Sequence, residues 1–333
     1  MPFSRFRFAL AFLNTGLVEG NASYVRGNSF HDCFNTGIGV FGTDNLPVED
    51  NVVHHTVGPS IRVAGKDNRI LRNLAVYSIS IHTYDGRQEK SNIHWPGAIE
   101  VHEAIDVILI NNTVAGSERF GFKLDGETCT DFGGISTGNE VHGCWHGIHL
   151  HYVECLPVCS MLSGFLIWKS YDYGIFTYCS SSIIVDHVIA VDNTVGMFPN
   201  VWGPPALSHR TADKYFVLRH SLIVGTSPDY DCAEDGIIPF ARRPYGGIGA
   251  KKAPGGTVIL KFPCFCRSLQ KLNLEHVHVF EKGYEAIWAQ EQRESFSSQI
   301  ILYIGFDVHL NSDEISPMVE KNTPLFVSRG TAW

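Results

Sequence analysis

Four histidines, His142, His146, His149 and His151, stand close together in the stretch VHGCWHGIHLHY. His149 and His151 are two apart, so on an extended strand both side chains leave from the same side. Imidazoles so placed can ligate a transition metal or line a carbohydrate groove. A metal at His149 and His151 needs a further ligand from another part of the chain. The competing reading is a pair of outward side chains on a strand.

A second set is acidic: Glu100, Glu103, Asp106 and Asp125. Glycoside cleavage asks for two carboxyl groups about 5 to 9 Å apart. Successive turns of a stacked β-structure lie about 4.8 Å apart, so acids aligned on neighbouring turns reach that separation. Glu100, Asp106 and His149 are therefore the catalytic candidates for a glycan hydrolase or lyase. Nothing in the sequence sets two of them in one cleft. There is no phosphate-cradling glycine loop and no nucleophile elbow, and no cofactor is called for.

A third set is aromatic and basic. Residues 82–96, HTYDGRQEKSNIHWP, interrupt an otherwise strand-like pattern and carry Tyr84, Arg87 and Trp95. Rings beside one guanidinium suit a sugar or a protein loop, through stacking and charge-assisted hydrogen bonds. They do not make an acid and a base poised at different pKa values, which glycan cleavage requires. A loop packed on itself is the alternative.

All three sets are positioned by a repeat. Asn28, Asn51, Asn73, Asn112 and Asn139 each open a copy of one phrase: an Asn, apolar-rich positions, a polar bend, a glycine and an alternating strand. The glycines are Gly37, Gly58, Gly97, Gly121 and Gly147, and the third copy is stretched by the insertion at 82–96. Beyond residue 139 the Asn fades, while Gly174 and Gly196 keep the spacing. A period of about 22 residues built of β-branched runs and turns is a solenoid signature. The Leu frame of leucine-rich repeats is absent. Such a length holds three short strands and three bends, one rung of a parallel β-helix. Asn at a fixed bend tolerates the left-handed conformation and can bond the Asn of the next rung.

The expected architecture is all-β, with interior ladders that include Val53, Ile61, Val63 and Leu74. Ile99, Val101, Ile105, Val107 and Leu109 fall on one face by their period of two. Residues 1–20 read as the incomplete edge of a preceding rung and residues 21–232 as β-helix repeats. Residues 233–333 read as an irregular Gly/Pro-rich segment with further strands, either last rungs or a cap.

Composition narrows the partners. The 333 residues carry a formal net charge of −8 with no basic cluster larger than a pair, which argues against nucleic acid or an anionic membrane. No apolar run reaches the length of a transmembrane helix. The nine cysteines lack zinc-ribbon spacing, leaving disulfides and buried thiols both open. Asn21 and Asn111 head N-glycosylation sequons.

Several long phrases carry a resemblance. DNVVHHTVGP from Asp50, AGSERFGF from Ala115, GFLIWKSYDYG from Gly164, PPALSH from Pro204 and IVGTSPDYDC from Ile223 resemble the extracellular β-helix region of the fibrocystin and fibrocystin-L family. The resemblance runs from about residue 20 to residue 232. It implies a right-handed parallel β-helix belonging to a very large, single-pass cell-surface protein of cilia or stereocilia, whose β-helix modules are similar to those of cell-surface hyaluronidase-like proteins. It supplies no catalytic residues. It also implies a disulfide between Cys129 and Cys159, which sit in family-like phrases. The expectation is a non-catalytic binding or scaffold ectodomain, here a fragment lacking its own membrane span, with the loop Thr83–Trp95 as a recognition wall. Its partners would be an extracellular protein or glycan and the remainder of a larger ectodomain; a hyaluronidase-like carbohydrate enzyme is the alternative.

Overall fold

The computed structural model describes residues 8–20, 22–80, 95–131, 134–150, 159–177, 182–193, 195–198, 215–224, 271–275, 277–281, 284–288, 327–328 and 331–332. Every regular element among them is a strand. Successive turns stack strand on strand in parallel, and each turn passes through three faces.

The first face contains Ser29–Cys33, Val52–Val57, Leu74–Ile79, Phe165–Trp168, Ile189–Val191 and Leu222–Val224, together with the leading halves of Thr113–Leu124 and Asn139–Leu150. The second contains Phe8–Leu17, Thr36–Asp44, Ile61–Lys66, Gly97–Ile105, the trailing halves of the same two long strands, Tyr173–Thr177 and Val195–Phe198. The third is split. Val25–Arg26, Pro47–Glu49, Arg69–Leu71 and Ile108–Ile110 form one sheet. Glu127–Thr128, Cys159–Ser163, Ser182–Asp186, Tyr215–Arg219 and Lys271–Glu275 form another. Antiparallel pairing joins Glu127–Thr128 to Cys159–Ser163 and Val277–Glu281 to Tyr284–Trp288.

Inside, the repeat makes ladders of like residues. On the second face Ile38, Ile61, Ile99, Phe122, Ile148, Ile175 and Met197 follow one another in register, and none has any exposed surface. On the first face Val53 lies between Phe30 and Ala75, also fully buried. Each such aliphatic side chain contributes about 1.5–3 kcal/mol on burial.

The bends are built on left-handed residues. Gly27, Asp50, Arg72, Asn111, Gly138, Gly164, His187 and His220 occupy one corner, all with φ between 46° and 68°. An L-residue there costs about 1–2 kcal/mol, and the next residue offsets it. Asn28, Asn51, Asn73, Asn112 and Asn139 form a continuous amide ladder, Nδ2 donating to the next Oδ1 at 3.1, 2.9, 3.1 and 3.0 Å. Each ladder oxygen also accepts the backbone N–H of the Asn one rung earlier. Past Asn139 the position passes to Phe165, Val188 and Ser221, so the amide ladder ends there.

Two expected interior positions are corrected. Leu74 is only half-buried, and its neighbour Ala75 takes the inward place opposite Val53. The residue after a ladder Asn pairs with the outward Val52, so the inward phase starts one residue later than the apolar pattern suggests. Ile105 is 55% exposed, while Ala104 is buried. Glu103 adopts φ 54° and the register slips between Val101 and Ala104, so Ala104 rather than Ile105 turns inward; Asp106, at φ 53°, follows, and Val107 and Leu109 are buried on the expected phase.

Candidate functional site

Strand alternation turns the residues between interior rungs outward. On the second face one outward column is Arg62, Glu100, Lys123, His149 and Phe176. Beside it runs Gly97, Phe120, His146 and Tyr173. From Phe120 onward the two columns merge into a stack of rings. His149 lies nearly parallel between Phe120 and Phe176, with centroids 4.1 and 5.1 Å away. His146 stands 5.0 Å from Phe120 and 5.3 Å from Phe176, with Tyr173 edge-on at 5.1 Å.

The expectation for His149 as an outward side chain in solvent changes accordingly. It points out from the solenoid interior, yet it and His146 are each only 2% exposed. Burial holds His146 below the ordinary histidine value, opposed by Asp172 at 3.6 Å. Its Nδ1 is buried and has no hydrogen-bond partner among the described residues. Burial, reinforced by Asp172, pushes the Tyr173 phenol up to about 12. The centre of this face is therefore aromatic, and burial disfavours the charged forms of His146 and Tyr173.

The carboxylates are dispersed by their bonds. Glu100 is buried, meets Arg62 at 3.2 Å and accepts the Gly97 N–H at 3.0 Å. Asp125 accepts the Glu103 N–H at 2.7 Å and faces His102 Nδ1 at 3.3 Å, serving the bulge that ends the second face. Asp106 is exposed on a left-handed bend and lines a different surface, a cleft of about 230 Å3 bordered by residues 126–128 and 134–136. That cleft is walled by Val101, Leu109, Leu124 and Phe165, with Glu127 on its polar side. Glu127 is occupied in receiving the N–H groups of Ile135 and Ser136. Glu100, Asp106 and His149 thus do not share one constellation.

Of the aromatic and basic set, Tyr84 and Arg87 lie outside the described residues. Trp95 is described, and it is 3% exposed rather than displayed on an outer wall. Its ring contacts Phe120 at 5.8 Å and Trp145 edge-on at 6.2 Å, while the Arg119 guanidinium lies 4.7 Å above it. The base of the insertion is in this way fastened to the ring stack of the second face. The reason is apolar area: an indole beside a row of rings gains more from burial than from solvent.

His151 and Asn21 lie outside the described residues. Asn111 is exposed at its corner. Cys129 and Cys159 are joined, with Cα atoms 5.7 Å apart, and fasten the strand Glu127–Thr128 beside Cys159–Ser163. Cys144 is a buried thiol pushed up to about 12 by burial. Sequence reasoning passed over Asp172, Trp145 and Tyr171. Tyr171 contacts Trp145 at 4.6 Å and so continues the ring cluster. The signal for them was present: Tyr171, Asp172 and Tyr173 precede Gly174 in the family-like phrase.

Comparison with known proteins covers the stretch that contains this face. Residues 15–195 match the family model described as a right handed beta helix region. Human fibrocystin-L is 41% identical over 232 residues, which is 68% of this chain and 5% of that protein. Mouse fibrocystin-L is 39% identical over the same length and shares. Dog fibrocystin is 30% identical over 244 residues, 73% of this chain and 6% of that protein. The chain spans a small fraction of the length of these relatives.

Proposed function

This chain belongs to the right-handed β-helix family, with fibrocystin-L and fibrocystin as relatives, and from that premise we propose that it acts as a non-catalytic binding or scaffold module at the cell surface. The observation that carries the reading is the placement of the acids. Glu100 is held by Arg62 and the Gly97 N–H, Asp125 by the Glu103 bulge, and Asp106 faces a separate cleft. Retaining or inverting cleavage needs two carboxyl groups facing one bond. No such pair stands on the second face among the described residues. What that face offers at its surface is the half-buried Arg62, Lys123, Tyr173 and Phe176, backed by the buried rings of Phe120, His146 and His149.

A stacked solenoid gives such a surface stiffness, because every rung is held by its neighbours. Insertions then supply specificity on one side. Trp95, in the insertion at 82–96, is buried on the second face, and Tyr84 and Arg87 are the insertion's recognition residues in this proposal. The partner is an extracellular protein or glycan, and the remainder of a larger ectodomain continues the scaffold. The test is attachment of purified chain to cultured cells, with and without enzymatic removal of their surface glycans. Saturable attachment that falls at least tenfold in a Tyr84→Ala/Arg87→Ala chain is expected. Attachment that is non-saturable, or unchanged in that variant, overturns the proposal.

A further inference from the structure

The corner that carries the amide ladder also carries its left-handed neighbours, and these pair between rungs. Asp50 and Arg72 make such a pair, Nε and a terminal nitrogen reaching the two carboxylate oxygens at 2.6 and 2.9 Å. Two and three rungs after the last ladder Asn, the same left-handed positions are His187 and His220, one rung apart. Both aim Nδ1 at a single oxygen of Asp186, Oδ1, at 2.8 and 2.9 Å. The other oxygen, Oδ2, accepts from Arg219 Nε at 3.0 Å. The carboxylate is 1% exposed at its side chain, whereas the two imidazoles are 65% and 42% exposed.

We propose that Asp186, His187 and His220 bind one divalent transition-metal ion of the zinc(II) class, clamping two successive rungs. The three ligand atoms lie within 4.8 Å of one another, so a single ion can reach all of them. Zinc bonds to imidazole nitrogen and carboxylate oxygen are about 2.0–2.2 Å long. Neighbouring ligand atoms around the ion then stand slightly farther apart than the present 2.8 and 2.9 Å. Two exposed rings can make that adjustment by rotating, without moving the backbone. With its proton on Nε2, each neutral imidazole offers an Nδ1 lone pair to the ion. Water completes the coordination from the open side.

Donor chemistry selects the metal. Two imidazole nitrogens and one carboxylate suit zinc, nickel or copper, while calcium and magnesium ask for oxygen ligands in larger number. Arg219 has a second role here, because it fixes the carboxylate through Oδ2 and leaves Oδ1 turned to the histidines. Hydrogen bonds of this kind orient metal-ligating carboxylates. The location also gives the ion structural work. At the ladder position of these rungs stand Val188 and Ser221 instead of Asn; the Val188 N–H donates to the Ser221 hydroxyl at 3.2 Å and the Leu222 N–H to the Val188 carbonyl at 2.8 Å. A metal bridging His187 and His220 would add a cross-link between rungs that are joined by backbone pairing without the amide ladder.

The test uses the whole chain, stripped with EDTA and titrated with zinc chloride in a calorimeter. One equivalent is expected to bind well above the background of other surface histidines. A His187→Ala/His220→Ala chain is expected to bind that equivalent at least tenfold more weakly, while a His31→Ala/His55→Ala chain keeps it. Zinc should raise the melting temperature of the native chain and not of the His187→Ala/His220→Ala chain. Cobalt(II) titrated into the native chain should develop the visible absorption of nitrogen coordination, which requires no variant to fold. Identical zinc uptake by native and His187→Ala/His220→Ala chains, or absence of the cobalt spectrum, overturns the assignment.

Discussion

Removing one rung of the amide ladder should cost more than its size suggests, and Asn73→Ala measures it. The Asn73 side chain is almost fully buried and makes four hydrogen bonds. Its Nδ2 donates to Val48 O at 2.8 Å and Asn112 Oδ1 at 3.1 Å. Its Oδ1 accepts the Asn51 N–H at 3.1 Å and Asn51 Nδ2 at 2.9 Å. After truncation Asn51 Nδ2 keeps Val25 O, and Asn112 Oδ1 keeps the residue 73 N–H. The Asn51 N–H and the Val48 carbonyl each lose this bond inside the solenoid. Each such loss costs about 1–3 kcal/mol, so the sum is about 4 kcal/mol. The control is Asn28→Ala at the open end of the ladder. Asn28 is exposed, its side chain only donates, and Asn51 Oδ1 keeps the residue 28 N–H. Its loss should cost about 1 kcal/mol or less. Urea unfolding followed by far-ultraviolet circular dichroism gives both values, provided the slopes agree. Asn73→Asp should be at least as damaging as the alanine, because it turns a carboxylate oxygen toward Val48 O and Asn112 Oδ1. The reasoning is refuted if Asn73→Ala lies within 1 kcal/mol of Asn28→Ala.

Three further outcomes are expected. Val53→Asp buries a carboxylate between Phe30 and Ala75 with no partner, so the chain should lose its cooperative unfolding transition or fail to accumulate in soluble form; a near-native midpoint would contradict the interior ladder. Replacing both Cys129 and Cys159 by Ala removes a cross-link over a separation of 30 residues, for an expected loss of about 3–4 kcal/mol in urea, and an unchanged midpoint would remove the bond from the stability account. His146 has its pKa lowered by burial, so between that lowered value and the ordinary 6.5 the unfolded chain binds the extra proton. Stability should therefore fall as pH drops below 6.5, by about 1.4 kcal/mol per pH unit at most from this group. His146→Phe should flatten the fall, and a native chain equally stable at pH 7 and pH 5 would refute it.

The solenoid was legible because its periodic residues have one physical task each. Asn28 through Asn139 repeat since an amide is both donor and acceptor and can chain indefinitely, and the interior isoleucines repeat because like shapes stack. The phase within a rung was less legible. Leu74 and Ile105 looked inward by alternation, but left-handed residues at Arg72 and Glu103 shift the pattern, and nothing about Arg or Glu announces positive φ. The ring stack was half visible: His146 and His149 stood out, while the burial of both depends on Phe120, Phe176 and Trp95 arriving from other rungs. The corner of Asp186, His187 and His220 could not be read at all. Its partners lie 34 residues apart in the chain, and that step is longer than the repeat period that would have aligned them.

The most direct measurement of the central claim is the length of a polysaccharide before and after contact with the protein. Purified chain is incubated with hyaluronan and with a pectin-type polymer, and the products are sized by light scattering. A binding module leaves the mass distribution of both polymers unchanged over the full incubation. Progressive shortening that disappears in Glu100→Ala, Asp106→Ala or His149→Ala chains would contradict the account and establish a carbohydrate-cleaving enzyme in its place.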